Sequence, residues 1–341
     1  MKQRKVFYVG LTAGVIILAV VLFIGIRHGK KLDSVPEYVF TYAENQPGEH
    51  PAAKAAQYFA DLVFARSAGR IQILVYNDGQ KGNENEVIRQ MRYGGIDFAR
   101  VSLSQLAEFE PELNVLQMPY LYRNAAHMWK ILDGEVGRRF LSCVEKVDLV
   151  GLSWYDAGAR SFYCTDRPIT RLEDIKDMTI RVQESDLMVD VIGALGAKAV
   201  KISYEEVYSY LERGLVDGAE NNFPSYESMN HYVVAPYFSI DEHTRVPEMQ
   251  ICSKYTWAKL SGEDQSLIAQ CAVESALYER ELWKIQEKQS RDHVTELGAR
   301  IIELSPEEKE RFQAAMAGVY EKYCGDHMDA IEQIITDEEQ N

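Results

Sequence analysis

"DMTIRVQESDLMVDVIGALGAKAVKIS", residues 177–203, decides how the chain is organised. Thr179 to Val182 is a short strand-like run. An apolar helix starts almost at once behind Ser185-Asp186, and "AKAVKI" reads as the following strand. Strand, helix, strand in so short a stretch is a crossover unit, which places two parallel strands under one helix. Arg181 sits inside the first strand, a cation at its exit, aimed at the gap where the helix begins.

The same alternation continues on both sides. Upstream, "YVFTYA" reads as a strand, "PAAKAAQYFADLVFARSAG" as an amphipathic helix stopped by Gly69, and "RIQILVY" as a strand. The loop "NDGQKGNE", the helix "NEVIRQMRYGG" and the strand "IDFARVS" follow. The pattern restarts after Val147 with "LVGLSWYDAG" and "ARSFYC". After residue 203 come the helix "YEEVYSYLERG" and the strand "LVDGAE". Two α/β lobes with mostly parallel sheets are expected. A strand "EMQICS" precedes a charged helical stretch from Gly262 to about Leu297. A helix of that length would run about 54 Å, longer than one lobe, and is expected to brace both. The tail opens with "SPEE", a capping box in which Ser305 caps, Pro306 takes the first helical position and Glu308 closes.

Composition excludes some classes. The chain of 341 residues is 46% hydrophobic and 26% charged, ordinary for a globular protein long enough for two compact lobes. Its formal charge of -15, from 52 acidic and 37 basic residues, and its lack of a basic stripe argue against nucleic acid as a partner. The N-terminus stands apart: after "MKQRK", Val6 to Ile26 carries no charged residue. That run of about 21 residues would span roughly 32 Å as a helix, enough for a bilayer. It lacks an A-x-A-like site, so an uncleaved anchor over residues 6–26 is a better reading than a cleaved signal. Either way the remainder is expected to be extracytoplasmic. Cys143, Cys164, Cys252, Cys271 and Cys324 are widely spaced without a C-x-x-C, and read as small buried hydrophobes.

Catalytic motifs are absent: no G-x-S-x-G, no G-x-x-x-x-G-K-[ST], no G-x-G-x-x-G, and no H-x-x-x-H among seven histidines. No enzyme activity, metal or cofactor is expected. Polar residues at predicted strand ends stand out instead: Arg160 in "YDAGARSFY", Arg181 in "TIRVQESD", Asn221 and Asn222 in "VDGAENNFPSY". Ligands of open α/β sheets bind beyond the carboxyl ends of strands. An arginine there offers a planar fork to a carboxylate, and asparagine a donor or acceptor to a hydroxyl. Each also has a plainer reading: a structural ion pair for either arginine, a turn before Pro224 for the asparagines.

These residues carry a resemblance. "GARSFYCTDRPITRLEDIKDMTIRV…ALGAKAVKISYEEVYSYLERGLVDGAENN" is similar in order and spacing to the DctP family, the extracytoplasmic solute receptors of tripartite ATP-independent periplasmic (TRAP) transporters. "GEHPAAKAAQYFADLV", "DGQKGNENEVIRQM" and "FARVSLSQLAEF" extend the likeness upstream, and "DEHTRVPEMQICSKYTWAKLSGEDQ" downstream. It covers nearly everything from Tyr38 onward and departs at Asp177-Met178, at Glu212-Arg213 and at Lys198 to Ile202, where prolines are usual.

The resemblance implies a two-lobed, type II-like periplasmic-binding-protein fold. Its parts would be a leader and linker at 1–35, lobe I at 36–157 with about 246–285, and lobe II at 158–245 with about 286–341. It implies that Arg181 bridges a ligand carboxylate, that Arg160 assists, and that Asn221 lies beside that carboxylate. It also implies TRAP membrane subunits as partners. The strings "YDAGARSFY", "RVQESDLMVD" and "AENNFPSYES" resemble the subset associated with hexuronates. Glu84, Asp156, Asn222, Tyr155 and His50 are the further hydroxyl-binding candidates, with a helix cap and a turn residue as the plain alternatives for Glu84 and Asp156. A sugar acid such as glucuronate or galacturonate is therefore the expected ligand. A C4-dicarboxylate receptor, a sensor domain and a tethered enzyme are the rivals.

Overall fold

The computed structural model describes residues 35–337. The apolar run at 6–26 and its flanking charges lie outside the described residues. No described helix is long and apolar enough to cross a membrane.

Two sheets form the scaffold. In the first, β1 (Tyr38–Ala43), β2 (Ile71–Tyr76) and β3 (Phe98–Ser102) run parallel, followed by β10 (Glu248–Ser253) and β4 (Leu149–Tyr155), in the order β2-β1-β3-β10-β4. β10 is antiparallel to both its neighbours. In the second, the order is β11-β9-β5-β8-β6-β7. Here β6 (Thr179–Val182), β7 (Lys198–Lys201), β8 (Gly218–Asn221), β9 (Tyr237–Thr244) and β11 (Arg300–Glu303) share one direction, and β5 (Arg160–Cys164) opposes them. The expected crossover of residues 177–203 is present, with β6 and β7 parallel over four pairs and a helix at Asp186–Ala194. The missing prolines at Lys198 to Ile202 leave β7 regular. It closes the sheet as an edge strand whose exposed Lys198 and Lys201 guard the open side.

The reading of the sequence overlooked β9 and β11. β9 buries Ser239, Asp241 and His243, which interrupt the apolar alternation of "YFSIDEHT". β11 has only four residues.

The chain passes between sheets at three places. β4 leads through residues 156–159 into β5, and β9 returns through residues 245–247 into β10. These two strands of the crossing run side by side, since Tyr155 pairs with Glu248 and Arg160 with Thr244. Gly158 has φ +59°, and a Cβ there would lie 2.5 Å from Glu287 Oε1, so no other residue fits this turn without displacement. The third crossing is the helix Gly262–Glu296, 35 residues and therefore about 52 Å long. It packs on the helix Pro51–Arg66 and on β4 in lobe I, then on the helix Phe223–Ser228 in lobe II. The bracing expected of it is what the structure has.

The tail touches both lobes. Lys322 and Tyr323 reach Asp190 of lobe II, whereas Tyr320 OH donates to Pro119 O of lobe I at 2.7 Å. Ser305 caps the helix Pro306–Met316 as expected, by accepting from Glu308 N at 3.3 Å. The Glu308 carboxylate turns to Leu172 N at 2.9 Å and to Arg311. All five cysteines are buried and unpaired.

Candidate functional site

The strand directions bring one set of residues together. Parallel strands β1, β3 and β4 end at Ala43, Ser102 and Tyr155, and β6 and β8 end at Val182 and Asn221. The opposed strands β10 and β5 begin at Glu248 and Arg160, so their amino ends lie at the same edge. Glu44, Glu84, Arg100 and Glu248 thus gather on lobe I, and Arg160, Arg181, Gln183, Glu220 and Asn221 on lobe II.

Arg181 is 1% exposed. Its Nε and Nη2 both donate to Ile202 O, at 2.9 and 2.7 Å, and its Nη1 has no partner. Burial pulls its pKa down, a pull that Tyr163 and Glu220 only partly offset. A rigidly held, desolvated guanidinium with a bare donor matches an anionic acceptor.

Arg160 is fully engaged within the protein. Nε and Nη2 meet the two carboxylate oxygens of Glu220, Nη2 also reaches Glu220 O at 2.8 Å, and Nη1 reaches Asn221 Oδ1 at 3.0 Å. Beyond Glu220 lies His243, with Nε2 at 3.7 Å from its carboxylate and Nδ1 at 2.9 Å from Asp241. Burial alone would lower His243, but Asp241 and Glu220 raise it to about 9; burial would raise Glu220, but Arg160 and His243 hold it at about 2. Two cations and two anions therefore balance, and Arg181 remains the cation without a matched carboxylate in this wall. Asn221 Oδ1 accepts from Arg160 and from Asn222 N.

The other candidates divide. Glu84 lies in lobe I, accepts from Ser102 N at 2.7 Å, and is 3.7 Å from Arg100 Nη1. Burial and Glu248 push its pKa up to about 8, a rise that the Ser102 N–H and Arg181 only partly oppose. Asn222 caps the helix Phe223–Ser228 through Ser225 N at 2.8 Å and ties it to the crossing through Ala157 O at 2.9 Å. Asp156 closes the crossing turn on Gly158 N at 2.8 Å and accepts from Trp129 Nε1 at 3.0 Å. Tyr155 OH meets Ser275 Oγ of the long helix at 3.0 Å. His50 caps the helix Pro51–Arg66 through Nδ1; burial and then Lys54 lower it to about 3, and its Nε2 is unpartnered.

Several contributors were not singled out in the sequence: Arg100, Glu44, Glu248, Glu220, Gln183, Gln250 and Tyr42. Tyr42 OH, Gln250 Nε2 and Gln183 Oε1 are buried without a partner. Each such atom costs about 1–3 kcal/mol unless something meets it. Arg100, in the middle of "FARVS", had the same signal as Arg181, a cation inside an apolar strand.

The lobes also touch across the cleft mouth. Gln183 Nε2 donates to Ser102 Oγ at 2.9 Å, Tyr204 OH to Gln46 Oε1 at 3.1 Å, and Asp186 N and Lys201 Nζ to Glu108 at 2.8 and 3.2 Å. Glu108→Ala removes the last two contacts. We predict a ligand affinity about 3- to 10-fold weaker, about 1 kcal/mol for a partly exposed cluster, with a near-unchanged melting temperature. Calorimetry and a melting curve read both; unchanged affinity would rule out a latch here.

Two lobes linked by adjacent crossings, with a buried unmatched cation in the cleft between them, define a solute receptor. The chain belongs to the bacterial extracellular solute-binding proteins of family 7, DctP, whose family model matches residues 42–326. A solute-binding protein of Chromohalobacter salexigens is 36% identical over 291 residues, 85% of this chain and 86% of that protein. Two solved TRAP periplasmic solute-binding proteins share the fold. One, from Bradyrhizobium sp. btai1 b in complex with galacturonate, has TM-score 0.85 at 38% identity, covering 87% of this chain and 99% of that one. The other, from Pseudomonas putida F1 with bound D-glucuronate, has TM-score 0.86 at 35% identity, covering 89% and 98%.

Proposed function

We propose that this chain is the extracytoplasmic receptor of a TRAP transporter that captures a hexuronate, glucuronate or galacturonate, and hands it to membrane subunits. The N-terminal run at 6–26 would hold it to the membrane as an anchor. The observation that carries the reading is the bare Nη1 of buried Arg181, the partner for one carboxylate, in a cleft whose remaining unpartnered atoms suit hydroxyls. The uronates held by the two solved relatives support the same ligand class. Arg181, Glu84, Gln183 and Asn221 are the proposed contacts, with Arg160 acting beside them. Asn222, Asp156, Tyr155 and His50 would then shape the cleft from the crossing and the helix starts. A solute receptor of this kind performs no covalent step, so binding and release are its whole chemistry.

A calorimetric panel tests the ligand class. Glucuronate or galacturonate should bind at least about 100-fold tighter than succinate or malate, since a ligand without hydroxyls leaves buried polar atoms unmet at about 1–3 kcal/mol each. Neutral glucose should not bind, because nothing meets Arg181. Succinate binding tighter than both uronates would replace the sugar acid with a C4-dicarboxylate.

A further inference from the structure

On that reading, the lobe I wall sets a further limit on the ligand. Arg100 on β3 is 2% exposed and is the buried cation of this wall; the other, Lys81, sits 3.7 Å over the Tyr76 ring. Its Nε donates to Glu44 Oε2 at 3.0 Å, its Nη2 to Glu44 Oε1 and Asn45 Oδ1, and its Nη1 to Glu248 Oε1 at 2.8 Å, with Glu84 Oε1 at 3.7 Å. Three carboxyl groups therefore surround one guanidinium, four of whose five N–H donors are bonded, with Glu84 at 3.7 Å beside Nη1. Beside them Glu44, Asn45, Lys81, Glu84 and Arg100 line a small recess of lobe I, about 10 Å³ in volume. On lobe II Arg181 keeps its bare Nη1, and Gln183, two residues on, reaches across to Ser102, whose backbone N–H donates to Glu84.

We infer that the site is dipolar and selects sugar acids with a carboxylate at one end only: Glu248 and Glu84 exclude hexarates, which carry a second carboxylate at the other end. One carboxylate reaches Arg181; the far end of the ligand lies against carboxyl groups that accept from hydroxyls. A second carboxylate there would meet like groups and a cation already matched, and like-charge juxtaposition in a buried site is strongly selective. Part of the carboxyl excess is met by a proton, because Glu84 is raised to about 8 by burial and Glu248. The charged groups around Glu84 are Arg100, Glu44, Lys81 and Glu248 on its own lobe and Glu205 and Arg181 on the other, so its ionisation at higher pH adds a negative charge to a wall already rich in carboxyl groups and strengthens the exclusion.

The test is calorimetry on the full chain with glucuronate, galacturonate, glucarate and galactarate, at pH 7 and pH 9. Wild type should prefer each uronate over the matching hexarate by roughly 100-fold or more, and more strongly at pH 9. Glu248→Gln, which frees one face of Arg100, should narrow the preference at least about 10-fold by improving hexarate binding. Glu84→Gln should remove the increase between pH 7 and pH 9. Hexarates within about 10-fold of the uronates in wild type would overturn this inference and leave the hexuronate receptor standing. So would preferences that neither substitution moves while uronate binding persists. No binding by any of the four would overturn the receptor reading, and this inference with it.

Discussion

Arg181→Ala should weaken uronate binding more than any other single substitution in the cleft. The ligand carboxylate would be buried without its charged partner, a loss of about 2–5 kcal/mol by analogy with other desolvated charge pairs. That is roughly 30-fold to several thousand-fold in affinity. The substitution should leave the unliganded fold intact, because Arg181 gives its neighbours only two bonds to one carbonyl, Ile202 O, and its burial is itself unfavourable. Arg181→Lys should fail nearly as far: an ammonium cannot hold Ile202 O with two donors and still present a third in a fixed direction. Calorimetry supplies the affinity, and the rise in melting temperature on adding uronate, which mass action requires of any tight ligand, supplies a second reading. Near-wild-type binding by Arg181→Ala would remove Arg181 from the site.

Most of the scaffold was legible because its elements announce themselves locally. Thr179–Val182 and Tyr38–Ala43 have apolar strand patterns, the long helix has its length, and Ser305 and Ser185 cap where their side chains allow. What was not legible depends on partners distant in sequence. β9 looked polar because Asp241 and His243 are buried by Glu220 and Arg160, which lie on two other strands. Arg160 in isolation fits a clamp and an ion pair equally well, and only the fold supplies its neighbour Glu220. Asn222 and Asp156 presented hydroxyl-binding side chains whose hydrogen bonds turn out to close a helix start and the crossing turn. Arg100 was readable by the rule that singled out Arg181, but its three carboxylates come from Glu44, Glu84 and Glu248, far apart along the chain.

The Arg160–Glu220–His243–Asp241 network makes the largest stability prediction. Glu220→Ala leaves the Arg160 guanidinium buried without its carboxylate and removes one of the two anions beside His243. Breaking one partner of a buried pair costs about 3–5 kcal/mol, whereas replacing both by apolar residues of similar volume is often neutral. Arg160→Met with Glu220→Met should therefore recover much of what Glu220→Ala loses in chemical denaturation. The network also sets a pH profile. His243 is raised from 6.5 to about 9 in the folded protein, so its contribution is complete below about pH 6.5 and is lost as pH rises through 9. Glu220 is lowered from 4.5 to about 2, so its contribution is complete above about pH 4.5 and is lost as pH falls through 2. Glu84, raised from 4.5 to about 8, adds a fall of its own that begins near pH 4.5 and is complete by about pH 8. The Glu220 and His243 contributions together should be largest between about pH 4.5 and 6.5. His243→Gln should flatten the alkaline limb between about pH 6.5 and 9 while sparing the acid limb, and Glu220→Ala should weaken both. An alkaline limb as steep in His243→Gln as in wild type would show that His243 is neutral in the folded protein, and that Glu220 is held low by Arg160 alone.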